Sequence, residues 1–252
     1  MSKLAITLYG IICYCLFILV FLYIDGFLLE IIVPKSINSG EPSGFIYAIV
    51  INLVLITAFG FFHSLMSRDW FKKEWTRVIP AVAERSTYVL QASLFLILVM
   101  WFWQPMPQIL WSFGGGVAWV IYGLFALGNI LVLWSTFLIN HFELFGLSQV
   151  WHNQINKQMP EVTFKTPSLY RIVRHPMQFG TLMVFWSTPV MTVGHFLFAL
   201  SMTIYVLIGL LFEESSLQRE FGEKYISYRK QVPMLIPKLS RNSWVNQRNQ
   251  SE

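Results

Sequence analysis

RHPMQFGTLMVFWSTPVMTVGHFLFALSMTIYVLIGLLFEE, residues 174–214, is the stretch that decides the fold. Between Arg174-His175-Pro176 and Glu213-Glu214 there is no Asp, Glu, Lys or Arg. A spanning helix needs about 20 mostly apolar residues to cross a ~30 Å hydrocarbon core. Residues 177–212 are too long for one such helix and are interrupted at Pro189 and at Gly194-His195. The run reads as two helices joined by a tight turn, the first of them short. Both ends of such a hairpin return to one membrane face, so a basic pair and an acidic pair are brought together there. A re-entrant segment in place of the first helix is the competing arrangement.

Four further apolar runs lie upstream, at residues 4–23, 45–62, 88–103 and 117–139. With the hairpin they predict an all-α polytopic membrane bundle of about six spans. Composition agrees. The chain of 252 residues is 55% hydrophobic and 12% charged, about half the charge of a soluble domain. Trp101, Trp103, Trp111, Trp119 and Trp134 fall near span ends, where indole rings suit the headgroup layer. The first run has no small-residue cleavage site and reads as a retained span. Cys13 and Cys15 point to different faces of it and are not a disulfide pair.

With six spans and both termini on one side, every lysine and arginine except Lys35 falls on that side. The positive-inside rule assigns it to the cytoplasm, as expected for a bacterial inner-membrane protein. A miscounted span would scramble this segregation. The net charge of +5 therefore reports topology and makes no case for nucleic acid. Residues 1–239 read as one membrane domain and residues 240–252 as a polar tail.

The five histidines form no close pairs on helices, so no metal site is expected. There is no Gly-rich phosphate loop, and no string of ionisable residues threads the spans as an ion pathway requires. Asn52, Gln91 and Asn129 read as inter-helix hydrogen-bonding groups. Polar clusters stand at cytoplasmic span ends: Phe62-His63-Ser64, Glu84-Arg85-Ser86-Thr87-Tyr88, Asn140-His141-Phe142-Glu143, and the pairs flanking the hairpin. Beyond Glu214, the residues Leu217, Phe221, Tyr225, Tyr228 and Val232 recur at helical spacing up to Pro233. They predict an amphipathic helix lying over the hairpin mouth.

Arg174-His175-Pro176-x-x-x-Gly180, the hairpin, then Glu213-Glu214-x-x-Leu217-x-x-x-Phe221-Gly222-x-x-Tyr225-x-x-Tyr228-x-x-x-Val232-Pro233 resembles the C-terminal signature of the isoprenylcysteine carboxyl methyltransferase-like superfamily of membrane enzymes. One departure is visible: many members carry Tyr two residues after the proline, where this chain has Gln178. The upstream blocks around His63, Arg85 and His141 resemble the bacterial branch that includes methanethiol S-methyltransferases and denitrification-associated membrane proteins.

The resemblance implies S-adenosylmethionine as cofactor, with residues 176–233 building its pocket. Arg174, His175, Pro176, Gln178, Gly180, Glu213, Glu214, Tyr225 and Tyr228 are then the cofactor candidates. It also implies a thiol acceptor, methanethiol, converted to dimethyl sulfide. Such a reaction needs a group to stabilise thiolate and a group to take its proton. Arg85, His63 and His141, from different helix ends, are the candidates. Ordinary hydrogen-bonded histidines at helix ends are the bland alternative for the last two. Two other functions compete: methylation of a larger thiol, isoprenoid or lipid, and a non-catalytic role in nitrogen-oxide metabolism. The short hairpin offers no obvious long apolar groove, which favours the small thiol.

Overall fold

The computed structural model describes residues 2–161 and 163–237. The polar tail expected at 240–252 lies outside them. In chain order the helices are α1 (Lys3–Leu29), α2 (Phe45–Met66), α3 (Asp69–Trp75), α4 (Glu84–Phe102), α5 (Gly115–Ile139), α6 (His141–Leu144), α7 (Leu147–Gln154), α8 (Pro176–Trp186), α9 (Val193–Phe221) and α10 (Glu223–Gln231). A small ribbon adds β1 (Ile109–Ser112) and β2 (Val190–Thr192). Helices α1, α2, α4, α5 and α9 are long and apolar enough to cross a membrane. Large apolar side chains such as Leu19, Ile46, Trp119, Val120 and Leu211 face outward. Helices apolar all round with bare outer faces belong in lipid, and the chain is a multi-pass membrane protein.

The hairpin departs from two plain helices. Helix α8 has 11 residues, about 16 Å of rise, half of what the bilayer core demands. It stops because Pro189 cannot donate a helical hydrogen bond and disfavours helical geometry at Thr188. Residues 187–192 continue as extended chain, and β2 pairs antiparallel with β1 through Ile109↔Thr192, Trp111↔Met191 and Ser112↔Val190. Phe113 N–H donates to the Pro189 carbonyl (3.0 Å) and Val193 N–H to Gln108 (2.8 Å). Non-helical backbone is tolerated at membrane depth only with its polar groups satisfied, and this ribbon satisfies them. His175 meets Glu214 near one end of α9, while Gly194 meets Met106 at the other. Residues 175–194 therefore run about 30 Å along α9, one hydrocarbon thickness. Five long helices can cross a membrane, and α8 with its extended continuation covers a comparable length beside α9.

Helix α8 docks on α5 through two glycines. A Cβ on Gly180 would lie 2.6 Å from the Gly128 carbonyl oxygen, and one on Gly128 would lie 2.8 Å from that of Gly180. Small residues let backbones approach where lipid supplies no hydrophobic drive between helices. Because the obstructing atoms are backbone, Gly180→Ala is expected to cost about 1–3 kcal/mol, lowering the thermal midpoint in detergent by several degrees. An unchanged midpoint would mean that the seam has slack.

The core gathers Phe27, Ile56, Phe59, Val99, Trp103, Phe185 and Phe198. Trp103, expected at the headgroup layer, is instead fully buried, set edge-on to Phe27 and Phe198. Of the three amides expected to bond between helices, Asn129 reaches Asp25 of α1 (3.5 Å). Asn52 instead bonds the chain just beyond α4, donating to the Gln104 carbonyl (2.9 Å) and accepting from the Gln104 N–H (2.8 Å). Gln91 is buried with no partner among the described residues. Cys13 is buried and Cys15 exposed, on different faces. The start of α1 lies against α7, where the Thr7 hydroxyl donates to Gln154 (3.3 Å). That is the same end of the bundle as His141 and Arg85.

Candidate active site

The hairpin's two ends meet around one carboxylate. The Arg174 guanidinium grips Glu214 with two nitrogens, Nε at 2.6 Å and Nη2 at 3.0 Å. His175 Nε2 lies 2.9 Å from the same carboxylate. The Tyr225 hydroxyl donates to it at 3.0 Å, and Arg229 Nε approaches to 3.2 Å. The remaining Arg174 nitrogen donates to the carbonyls of Arg229 (3.1 Å) and Val232 (2.5 Å). Arg174, His175 and Glu214 side chains are all nearly buried. Pro176 opens α8 directly after His175, at the helical position where its missing N–H costs nothing.

The expected amphipathic helix is broken in two. Gly222 adopts φ +56, a left-handed conformation that ends α9 and turns the chain into α10. In one straight helix Tyr225 would stand roughly 16 Å beyond Glu214; the turn folds it back into contact. Burial and then the Glu214 charge push the Tyr225 phenol above its usual range, so it remains a proton donor. The Tyr228 phenol, also raised, donates to the Tyr170 carbonyl at 2.5 Å. This sews α10 to the loop before α8.

Glu213 differs from its neighbour. Its side chain is 46% exposed, against 6% for Glu214. Gln178 donates to it at 3.3 Å and His175 Nδ1 stands 3.8 Å away. Burial and the Glu213 charge together raise the Tyr170 phenol. A second cluster takes in Tyr88 and, about two turns before Glu213 on α9, Tyr205. There His63 is held by two phenols, with Tyr88 Oη 2.8 Å from Nε2 and Tyr205 Oη 2.6 Å from Nδ1. The Arg85 guanidinium lies over the Tyr88 ring at 4.8 Å. Its Nε donates to the Leu144 carbonyl at 2.6 Å, and its terminal nitrogens find no acceptor among the described residues.

The family model described as Phospholipid methyltransferase matches residues 118–224. Methanethiol S-methyltransferase 2 of Bradyrhizobium diazoefficiens is 46% identical over 238 residues, covering 94% of this chain and 92% of that one. Methanethiol S-methyltransferase of Crocosphaera subtropica is 47% identical over 96% of each chain. The protein of that name from Mycobacterium tuberculosis is 44% identical over 94% of this chain and 98% of that one. This chain belongs to the methanethiol S-methyltransferase family. No solved structure matches it.

A membrane methyltransferase of this family must hold a methyl donor and an acceptor side by side, and α9 carries both Tyr205 of the His63 cluster and, about two turns on, Glu213 and Glu214. Arg174, His175, Glu214 and Tyr225 come together as one centre, with Tyr228 and Tyr170 beside it; Gln178 and Glu213 form its open edge. His63 and Arg85 both meet Tyr88. His141 does not join them. Thr136 Oγ1 occupies its Nδ1 (2.8 Å) and Tyr14 Oη its Nε2 (2.7 Å), while Phe137 stacks on the ring at 4.2 Å. Burial pushes this imidazole below its usual pKa. Gly180 faces α5 and not the clusters. Sequence reasoning assigned no role to Tyr88, Tyr170, Tyr205 or Arg229. Tyr205 carried a signal, as the one phenol inside the long apolar run, two turns before Glu213.

Proposed function

We propose that this chain is an S-adenosylmethionine-dependent methyltransferase that converts methanethiol to dimethyl sulfide at the cytoplasmic face of the membrane, with both termini in the cytoplasm. One observation carries the reading beyond family membership: an accessible carboxylate, Glu213, borders a locked ion-pair centre and lies on α9 about two turns from Tyr205, a phenol bonded to His63. When bound, S-adenosylmethionine supplies a methyl group on a sulfonium cation. Its hydroxyls, amino group and positive charge suit a carboxylate flanked by amide and phenol donors, and Glu213, Gln178 and Tyr170 make such a set. Arg174 is committed to Glu214. In this reading Arg174, His175, Pro176, Gly180, Glu214, Tyr225 and Tyr228 fix the pocket wall, and Glu213 with Gln178 meets the cofactor.

On the acceptor side, the free Arg85 nitrogens stabilise thiolate and His63 takes the proton, exchanging one phenol bond for it. His141, with both ring nitrogens engaged, braces the loop after α5. Joining a thiolate to a cationic methyl donor merges opposite charges, and a water-poor site disfavours the separated charges more than the dispersed ones. Methanethiol, small and apolar, crosses the bilayer to reach the site. The protein, purified in detergent and given S-adenosylmethionine and methanethiol, is expected to release dimethyl sulfide into the headspace. No product and no heat of cofactor binding would overturn the reading; binding without dimethyl sulfide would leave the cofactor and reject the acceptor.

A second acceptor class is favoured by one observation. The sequence offered no long apolar groove, yet the structure has one, a cleft of about 570 Å³ between α2 and α9 that reaches Tyr205.

A further inference from the structure

The cleft between α2 and α9 is lined by Leu53, Thr57, Phe61 and Leu65 on one side and by Ile204 and Ile208 on the other. Thr57, Phe61, Ile204 and Ile208 are exposed, so it opens toward lipid. From Leu53 to Leu65 it follows more than three turns of α2, roughly 18 Å. Arg68 stands at its outer end with its guanidinium 4.1 Å over the Phe212 ring, and Phe212 adjoins Glu213. Tyr205 forms part of the inner wall, and its hydroxyl is the one bonded to His63 at 2.6 Å. The ring lies flush against α2 because residue 60 is glycine: a Cβ there would sit 2.8 Å from the Tyr205 ring. One phenol thus separates an apolar cleft from the histidine placed on the acceptor side.

The geometry points to a wider substrate class than methanethiol: longer straight-chain alkanethiols, with sulfur at His63 and the chain lying in this cleft. The inference rests on the S-methyltransferase reading above. A thiol entering from the cleft takes the place of the Tyr205 hydroxyl on His63 Nδ1. His63 accepts the S–H proton. A carbon–sulfur bond forms to the transferred methyl, the donor's sulfonium carbon–sulfur bond breaks, and both sulfur products leave neutral. From Gly60 to Leu53 the cleft extends about 10 Å deeper into the bilayer, room for a chain of several carbons. An apolar chain there loses contact with water without asking the site for any polar partner.

The test uses the full-length protein in nanodiscs with S-adenosylmethionine, comparing methanethiol with hexanethiol by mass detection of the methyl sulfides. Hexanethiol is expected to be turned over with kcat/KM at least equal to that for methanethiol. Thr57→Trp and Ile204→Trp fill the cleft from opposite walls and belong to neither polar cluster. Each is expected to lower kcat/KM for hexanethiol at least tenfold while changing that for methanethiol less than twofold. Methanethiol turnover without hexanethiol turnover overturns this inference alone. So does an equal effect of the tryptophans on both thiols, or no effect on either. If neither thiol is methylated by the unaltered protein, the S-methyltransferase reading falls with it. Hexanethiol turnover in the unaltered protein decides the substrate class even if both variants fail to fold.

Discussion

Glu214→Gln is expected to unfold this protein well before it alters its chemistry, and Glu213→Gln to do the reverse. Glu214 receives two bonds from Arg174 and one each from His175 and Tyr225, with Arg229 at 3.2 Å. Gln in its place removes the charge and turns an N–H₂ toward groups that are themselves donors. Breaking a buried ion pair from one side costs about 3–5 kcal/mol, because the partner charge stays buried. For a chain this size that is a fall on the order of 10 °C in thermal midpoint, readable by intrinsic tryptophan fluorescence in detergent. Removing the partner charge as well, in Glu214→Gln/Arg174→Met, should recover part of the loss. Glu213, half exposed and, among the described residues, hydrogen-bonded to Gln178 with His175 at 3.8 Å, should tolerate Gln with a midpoint shift of no more than about 2 °C while cofactor affinity falls at least tenfold. If the two substitutions had equal effects on the midpoint, the division of labour between the neighbouring carboxylates would be wrong.

The second large effect belongs to His63. His63→Ala is expected to lower kcat for methanethiol by about 10²-fold or more, the usual worth of a positioned base, with cofactor affinity unchanged. Its pH profile gives the sharper readout. Without a base the variant depends on thiolate formed in solution, and thiols ionise near pH 8.5 or above. Its rate should therefore climb nearly tenfold per pH unit between about pH 6 and 8, while the unaltered enzyme rises less steeply. A variant with full activity and the parent's profile would move the proton acceptor elsewhere. Tyr88→Phe and Tyr205→Phe, which leave the ring in place and remove one bond to His63, should give smaller losses of the same kind.

The spanning helices were legible before any coordinates, because membrane proteins announce them by composition. The convergence of Arg174-His175 on Glu213-Glu214 follows from a hairpin of that length. What escaped was set by tertiary contact. Nothing local distinguishes Glu213 from Glu214; Gly222 does so by folding α10 back, so that Tyr225 and Arg229 close on one carboxylate and leave the other open. His141 and His63 both stand at helix ends in the sequence. Only packing shows that one is surrounded by Tyr14, Thr136 and Phe137 and the other lies beside a cleft. Trp103 looked interfacial because indoles usually are, and was buried because Phe27 and Phe198 make a slot for it.

The extended residues Ser187–Thr192 have a bearing on how the protein is made. Helix α8 is too short to hold in a bilayer alone, and its continuation needs β1 as a hydrogen-bonding partner. A nascent chain cannot integrate this segment stepwise as it can α1 or α2. Its backbone is satisfied only once β1 is in position beside it. Whether the chain reaches across the bilayer at this point rests on six residues that are not helix and on the strand that pairs with them.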